Sequence, residues 1–517
     1  MPETNLKALF RELPSSLMLK LNFFLSWTPI ILIFIMAVFF RTGALKLSIY
    51  GFIYTAVLSF TCFRTSLSVI ATAALDGVLT TVPLLLVVYF GILLSQLLIG
   101  KGSLQRLAGW LDGAGRLGRV GHAMLLSFGV GNFLEGAGII AEPVAAPMLF
   151  AVGIGPSASV VLSIIGYSGL MQLSLAGVIV TLLAAVTAIP VHSLAWDLGL
   201  LSFVPTMLFA FSVPWIVRVS DGFRDNIPAI TATGVLAASA TWLAARLGAV
   251  SIAGMLAGIV VIAFFYLLTR SMPRYQSGLA MDIAPFFLIF ASLALVNLCP
   301  PLRHICRDNW ILTMQIIPGH VISIRPFYDA YTYLFLAFLL AWRLHASGSD
   351  KLGRFLLGVS RRASGAVTAI ALFGAMGQVI AYSGYVPGFG SVVSGDNIAL
   401  CLAGGLIDCT GRCYPLFAPL LGWIGTFLTG YGMASLMLFG KLQLQAAQLT
   451  GVSASLLASA LTVGASIGSV SSPFKIALAA SLCNAGGREG EILARTIPLG
   501  LAVAIATGVF TLVVGWM

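Results

Sequence analysis

Glu135 and Glu142 stand seven residues apart in GVGNFLEGAGIIAEPVAAP (129–147), a stretch otherwise dominated by apolar residues, glycines and prolines. A carboxylate at membrane depth costs a few kcal/mol. Such a residue exchanges a proton or cation, caps the free amides of a broken helix, or sits in a water-facing loop. On one continuous helix the seven-residue spacing puts both glutamates on the same face, two turns apart. Asn132, Gly136 and Gly138 lie beside them as candidates for substrate contact. Toward the carboxyl end, SIGSVSSPFKIALAAS (466–481) places Ser471, Ser472 and Lys475 around a proline. Hydroxyls and an ammonium at a helix break can hold an organic carboxylate, whereas a lysine that only snorkels to the interface is the plainer reading.

The first stretch has a partner. GNFLEGAG (131–138) and GTFLTGYG (425–432) agree at five of eight positions, which adds Thr426, Thr429, Gly430, Tyr431 and, a little further on, Ser435 to the candidates. The letters TGYG resemble part of a potassium filter, but such a filter needs TVGYG from four pore loops. Here the valine is missing and the partner reads EGAG. Two broken helices or hairpins facing one another explain the glycines better. Their half-helix amino termini attract anions and their free carbonyls attract cations. A second match, GPSASVVLS (155–163) with GVSASLLAS (451–459), keeps the order and nearly the spacing of the first. This predicts an internal duplication, with chance likeness among Gly, Ala and Ser as the alternative.

The elements that carry these residues must lie in lipid. Hydrophobic residues make up 59% of the chain and charged residues 9%, with mean hydropathy +1.02, far from soluble domains. The expected fold is an all-α polytopic membrane protein with roughly 11–14 segments at about 20 residues each. Lys101, Arg106, Arg116 and Arg119 follow the apolar run at 80–100, whereas Lys351, Arg354, Arg361 and Arg362 precede the run at 363–383. With both clusters cytoplasmic, the two runs cross in opposite directions and the repeats are inverted. The division expected is 1–79 as amino-terminal scaffold helices, 80–199 as the first repeat, 200–345 as further spans and a loop, and 346–517 as the second repeat. Lys7, Arg11 and Lys20 precede the first apolar run, which reads as an uncleaved helix.

The net charge of +11 is spread over the ends of apolar runs and does not form a nucleic-acid stripe. The seven cysteines make no zinc pattern and read as small buried thiols. His304, His320 and His345 read as loop-borne, and Arg412 beside Asp408 as an interfacial ion pair. There is no nucleophile elbow, Walker loop or catalytic zinc spacing. The expectation is no enzyme, no cofactor and no metal.

FLEGAGIIAEPVA (133–145) resembles the FLEG…PVA segment of the lactate permease family, and LGWIGTFLTG (421–430) resembles its second signature. The likeness continues through 438–460 and Ser472–Pro473, covering about residues 85–185 and 395–500. It implies a secondary transporter of small 2-hydroxymonocarboxylates such as lactate or glycolate, usually with protons. It also implies kinship with the ion-transporter superfamily, whose members pair inverted repeats with re-entrant hairpins and are often homodimers. Departures fall inside the motifs: Ile139, Ile140, Ala141 and Glu142 replace a glycine-rich run, Tyr431 to Leu436 replace a polar run, and Ser469, Phe474 and Lys475 alter the late Ser-Pro segment. Gaining Glu142 and Lys475 points to a relocated ion pair, and to a related carboxylate or sulfonate as an alternative cargo. The reading is proton symport of a small organic anion across the cell inner membrane, with sodium as the other coupling ion and a passive channel as the rival mechanism. Glu135 or Glu142 would exchange the proton.

Overall fold

The computed structural model describes residues 15–112, 117–218, 223–269, 278–345, 351–429 and 432–516, apart from positions 39, 41, 43, 393, 481, 482 and 484. Lys7, Arg11, Arg116, Gly430 and Tyr431 therefore lie outside the described residues. The chain opens with α1 (Ser15–Val38), α2 (Ala44–Thr61) and α3 (Leu67–Gly100), then a short amphipathic α4 (Ser103–Asp112). At 34 residues α3 is about 50 Å long. That exceeds the hydrocarbon thickness, so part of it lies beyond the lipid core or tilts within it.

The first repeated segment is interrupted twice. Helix α5 (Arg119–Met124) passes through a π-helical stretch, Leu125–Gly131, into α6 (Asn132–Gly136). The chain then breaks and restarts as α7 (Glu142–Ala151), followed by α8 (Pro156–Ser168). Glu135 and Glu142 thus sit on either side of a break, not on one helix face. A second break covers 169–177, where Leu175, Ala176 and Gly177 all take positive φ, and α9 (Val178–Thr187) follows. Left-handed conformations on Leu and Ala are strained and persist only where packing enforces them.

The middle of the chain forms α10 (Val191–Leu201), α11 (Phe203–Ile216), α12 (Phe223–Arg246), α13 (Ala253–Thr269) and α14 (Leu279–Leu298). After α15 (Pro300–His304) comes an antiparallel hairpin, β1 (Leu312–Ile317) and β2 (His320–Ile324), and then α16 (Ala330–His345). The sequence predicts spans and a loop or amphipathic segment here but not strands. Their signal was short: alternating LTMQII and HVISI around Pro318–Gly319.

The second repeated segment runs through α17 (Leu352–Tyr382), α18 (Ile398–Thr410), α19 (Tyr414–Thr429), α20 (Gly432–Thr450) and α21 (Ala454–Gly468). A tight turn, Ser469–Ser471, leads to α22 (Pro473–Ala480), and α23 (Glu489–Gly515) ends the fold. Each matched octet ends a helix, α6 or α19. Each GxSAS segment opens the helix that leads to the next break, α8 or α21. From the GxSAS segments onward the order helix, break, helix is the same in both places.

Among the described residues, eight helical stretches are long and apolar enough to cross a membrane, and four shorter apolar helices accompany them. The chain is an all-α polytopic membrane protein. With lipid outside, helices gain little from burying apolar groups and associate through close packing of small residues. Helices α3 and α17 follow this rule: Tyr89 meets Ser360 at 2.7 Å, while a Cβ on Gly77 would strike the Gly374 backbone. The order of these contacts makes the two helices antiparallel, as their basic flanks suggest. Gly422 and Gly464 likewise bring α19 and α21 into backbone contact. On the face carrying Lys101, Arg106 clasps Asp282 of α14 at 2.6 and 2.7 Å, and His345 stands 3.6 Å from the same carboxylate.

Candidate site at the meeting of two helix breaks

The breaks before α9 and α22 face one another. Ser469 Oγ lies 3.2 Å from Met171 Sδ, joining the two segments. Glu142 occupies the first turn of α7, where the free amides of a helix amino terminus favour a carboxylate. Lys475 is the third residue of α22, facing the positive end of its own helix. A cation there needs an anion beside it, and Glu142 supplies one: Lys475 Nζ is 3.3 Å from Glu142 Oε1. Tyr167, near the end of α8, completes the contact. Its hydroxyl donates to Glu142 Oε1 and accepts from Lys475 Nζ at 2.9 Å. Lys475 Nζ also lies 4.7 Å from the centre of the Tyr167 ring and 3.7 Å from Met171 Sδ.

All of these groups are buried. A buried ion pair is costly to make but more costly to break, because removing one partner leaves the other charged in a low-dielectric site, at about 3–5 kcal/mol. Among the described residues Glu142 Oε2 has no hydrogen-bond partner, nor do the side-chain oxygens of Asn132, Gln172 and Thr426. The centre therefore holds unused polar capacity around a neutral pair. Glu135 stands on the other side of the break, where its Oε2 accepts from the Ala141 amide at 3.2 Å. It interacts electrostatically with both Glu142 and Lys475.

The remaining candidates take different places. Asn132 donates to the carbonyls of Phe128 and Gly166 at 2.7 and 2.9 Å, tying the π-helical stretch to α8. Gly136 packs against the Gly254–Met255 backbone, and Gly138, with φ +80°, lies against Gly91. Both glycines are accounted for by close approach. Thr426 is near the centre: a Cβ on Gly432 would lie 3.7 Å from Thr426 Oγ1 and 3.0 Å from the Met171 methyl. Ser435 donates to the Gly422 carbonyl at 3.0 Å, joining α20 to α19. Ser471 donates to the Thr496 carbonyl at 2.9 Å and accepts from the Trp423 indole at 3.3 Å. Ser472 Oγ accepts from the Lys475 amide at 3.4 Å and caps α22. The Thr429 side chain, Gly430 and Tyr431 lie outside the described residues.

Tyr167 and Met171 were not singled out from the sequence. Their signal was GYSGLMQLSLAG (166–177), a glycine-punctuated run that follows GPSASVVLS much as the late Ser-Pro run follows GVSASLLAS. Three other expectations need correction. His320 is 5% exposed and paired, because the hairpin turns it inward, and His345 ends α16. Cys409 and Cys413 are exposed thiols, although all seven cysteines are free as expected. Arg412 lies over the Trp516 ring at 5.9 Å, and among the described residues no ion pair joins it to Asp408.

Comparison with known proteins agrees with this architecture. A family profile described as L-lactate permease matches residues 22–517. The chain is 26% identical over 437 residues to the L-lactate permease of Escherichia coli strain K12, covering 75% of this chain and 76% of that protein. It is 28% identical over 446 residues to the glycolate permease of the same strain, covering 76% and 77%. With the L-lactate permease of Halalkalibacterium halodurans it shares 21% identity over 527 residues, 95% of this chain and 97% of the other. A match over nearly the whole chain, on a fold of buried charges between membrane helices, places this protein in the L-lactate permease family of multi-pass membrane transporters.

Proposed function

We propose that this chain carries a small 2-hydroxymonocarboxylate, such as lactate or glycolate, together with a proton by alternating access. The observation that carries the reading is the Glu142–Lys475 pair at two converging helix amino termini. One ammonium neutralises one carboxylate. An incoming carboxylate can replace Glu142 on Lys475 without burying net negative charge only when Glu142 takes up a proton. Anion and proton therefore enter as a neutral pair. Glu142 Oε2, which has no partner among the described residues, is the oxygen that receives the proton. Tyr167 keeps its hydroxyl between the acid and the ammonium, and Thr426 Oγ1 is free to bond the 2-hydroxyl. Glu135, one helix break away, adjusts the charge balance of the same centre. The names of the lactate and glycolate permeases that resemble this chain support the substrate class.

The test is uptake into proteoliposomes of labelled lactate, glycolate, larger carboxylates and sulfonates, with and without an inward proton gradient and with and without sodium. Proton-driven accumulation of a 2-hydroxy acid is the expected result, and its loss in Glu135→Gln, Glu142→Gln assigns the coupling. Sodium-driven accumulation that ignores pH would transfer the role to sodium. Equilibration without uphill accumulation would make the protein a passive pathway.

A further inference from the structure

A second buried charge cluster lies away from the centre, toward the face opposite Lys101 and Arg106. Asp76 of α3 is fully buried and His320, the first residue of β2, is 5% exposed. His320 Nδ1 stands 3.0 Å from Asp76 Oδ1 and 2.9 Å from Oδ2, while Nε2 stands 3.0 Å from the carbonyl oxygen of Ala185 in the last turn of α9. A carbonyl only accepts, so Nε2 carries a hydrogen. The Nδ1 contact with a carboxyl group then needs one further proton. Either Nδ1 holds it and the pair is imidazolium with carboxylate, or Asp76 holds it and donates to a neutral ring. The sum is the same in both cases. Without that proton the neutral ring has one N–H for two acceptors. Placed on Nδ1 it keeps the Asp76 contact and turns the Nε2 lone pair on the Ala185 carbonyl; placed on Nε2 it does the reverse, so one of the two contacts is lost.

This bridge links the hairpin to two membrane helices through polar side chains, beside the apolar packing of Ile317 against α3 and α17. Beside it is a cavity of about 260 Å³ whose wall includes Thr80 and Pro83 of α3, Ala185 of α9, and Val321, Ile322 and Ser323 of β2. The hairpin is thus one side of the cavity, and the Asp76–His320–Ala185 contact holds that side in. Other charged and titratable groups face the pair from the neighbouring elements. Lys441 of α20 lies 3.7 Å over the ring of Tyr382 of α17, and both interact electrostatically with Asp76. Helix α9 offers the carbonyl, and Arg307, Arg325 and Asp329 line the cavity itself. The positive-inside rule puts Lys101 and Arg106 in the cytoplasm, so the hairpin and its cavity are on the outer face.

We infer that Asp76 and His320 form a second proton-binding site, separate from the central one, in which one bound proton latches the outer hairpin to α3 and α9 and its loss releases the hairpin from the adjoining cavity. The released proton passes to outer water and leaves an Asp76 carboxylate and a neutral imidazole. The inference depends on neither the cargo nor the coupling ion of the central site.

The test uses the full chain in nanodiscs with its native cysteines replaced by serine and spin labels at Val321→Cys and His192→Cys. Both positions are exposed, one on the hairpin and the other just beyond α9. The distance distribution is recorded from about pH 5 to about pH 9, a range that brackets histidine titration. A short distance at low pH should give way to a longer one as pH rises. In Asp76→Asn the side-chain amide can donate to Nδ1 of a neutral ring, so the short distance should persist at every pH. In His320→Ala the long distance should prevail throughout. A wild-type distance that ignores pH, an Asp76→Asn protein that keeps the wild-type response, or a short distance at every pH in His320→Ala would each overturn the inference. The Asp76→Asn arm predicts a retained latch, so it separates release of the hairpin from general loss of folding.

Discussion

The two halves of the chain each bring a helix break to the centre, yet they bring opposite chemistry. The first half contributes carboxylates, Glu135 and Glu142, with the Tyr167 hydroxyl, and the second contributes the Lys475 ammonium and the hydroxyls of Thr426 and Ser469. Each half supplies a helix amino terminus at the centre. The residue each one carries then decides its charge. A matched pair of positive helix ends alone would attract two anions; with Glu142 on one and Lys475 on the other, the pair is internally neutral. The asymmetry makes a single negative cargo the natural guest.

The sharpest way to break this comparison is to remove the cation. Lys475→Met should reduce uptake by about two orders of magnitude or more, because truncating one side of a buried hydrogen-bonded charge pair costs about 2–5 kcal/mol. Wild-type uptake in that variant would deny the second half its role. Next in size is packing. Gly464→Ala and Gly136→Ala each put a methyl into a facing backbone, and overpacking of this kind costs about 1–3 kcal/mol. Thermal unfolding of the purified protein should show both halves destabilised, and an effect confined to one half would mean that their glycine contacts are not equivalent. Tyr167→Phe keeps the ring over Lys475 but removes the bridging hydroxyl. A half-saturation concentration raised about tenfold is expected, from about 1–1.5 kcal/mol for one hydrogen bond; an unchanged value would place the hydroxyl outside the binding step.

The smallest effect lies outside both halves. Burial in the loop before α16 raises the Asp329 carboxyl to about 6, against which the Arg325 amide and side chain pull it down. The folded state therefore holds that proton more tightly than the unfolded chain, and stability falls as pH rises through this range. Asp329→Asn should leave the unfolding temperature unchanged near pH 4 and raise it by a degree or two near pH 8. A variant less stable at pH 8 would show that the ionised form is the favoured one.

Much of the centre was readable before the fold because it is locally encoded. Glycines, prolines and isolated charges inside apolar runs mark where a helix cannot continue, and this signal led to Glu135, Glu142, Ser472 and Lys475. The repeated octets were expected to face one another, whereas the breaks that meet are those before α9 and α22, further along in each half. What the sequence concealed is contact between distant segments. Tyr167 sits at the end of an apolar helix and acquires its role only from Lys475, which lies 308 residues away. Asp76 and His320 are 244 residues apart, and nothing near either one predicts the other. The glycines were legible as special but not as to purpose: Gly136 and Gly138 serve contact with α13 and α3, where a ligand role had been expected.

The crossing of α3 and α17 at Gly77 and Gly374 also limits how the molecule can deform. The two backbones touch there, with the Thr81 methyl packed against Gly374. A side-chain interface can ratchet, since rotamers exchange as one ridge slips past the next. A backbone contact has no such gears: displacement along either axis would drive a neighbouring residue's Cβ into the opposing main chain. The glycine contact and the Tyr89–Ser360 bond, twelve residues further along α3, hold the two helices at two levels, so a slide of one past the other would have to disturb both.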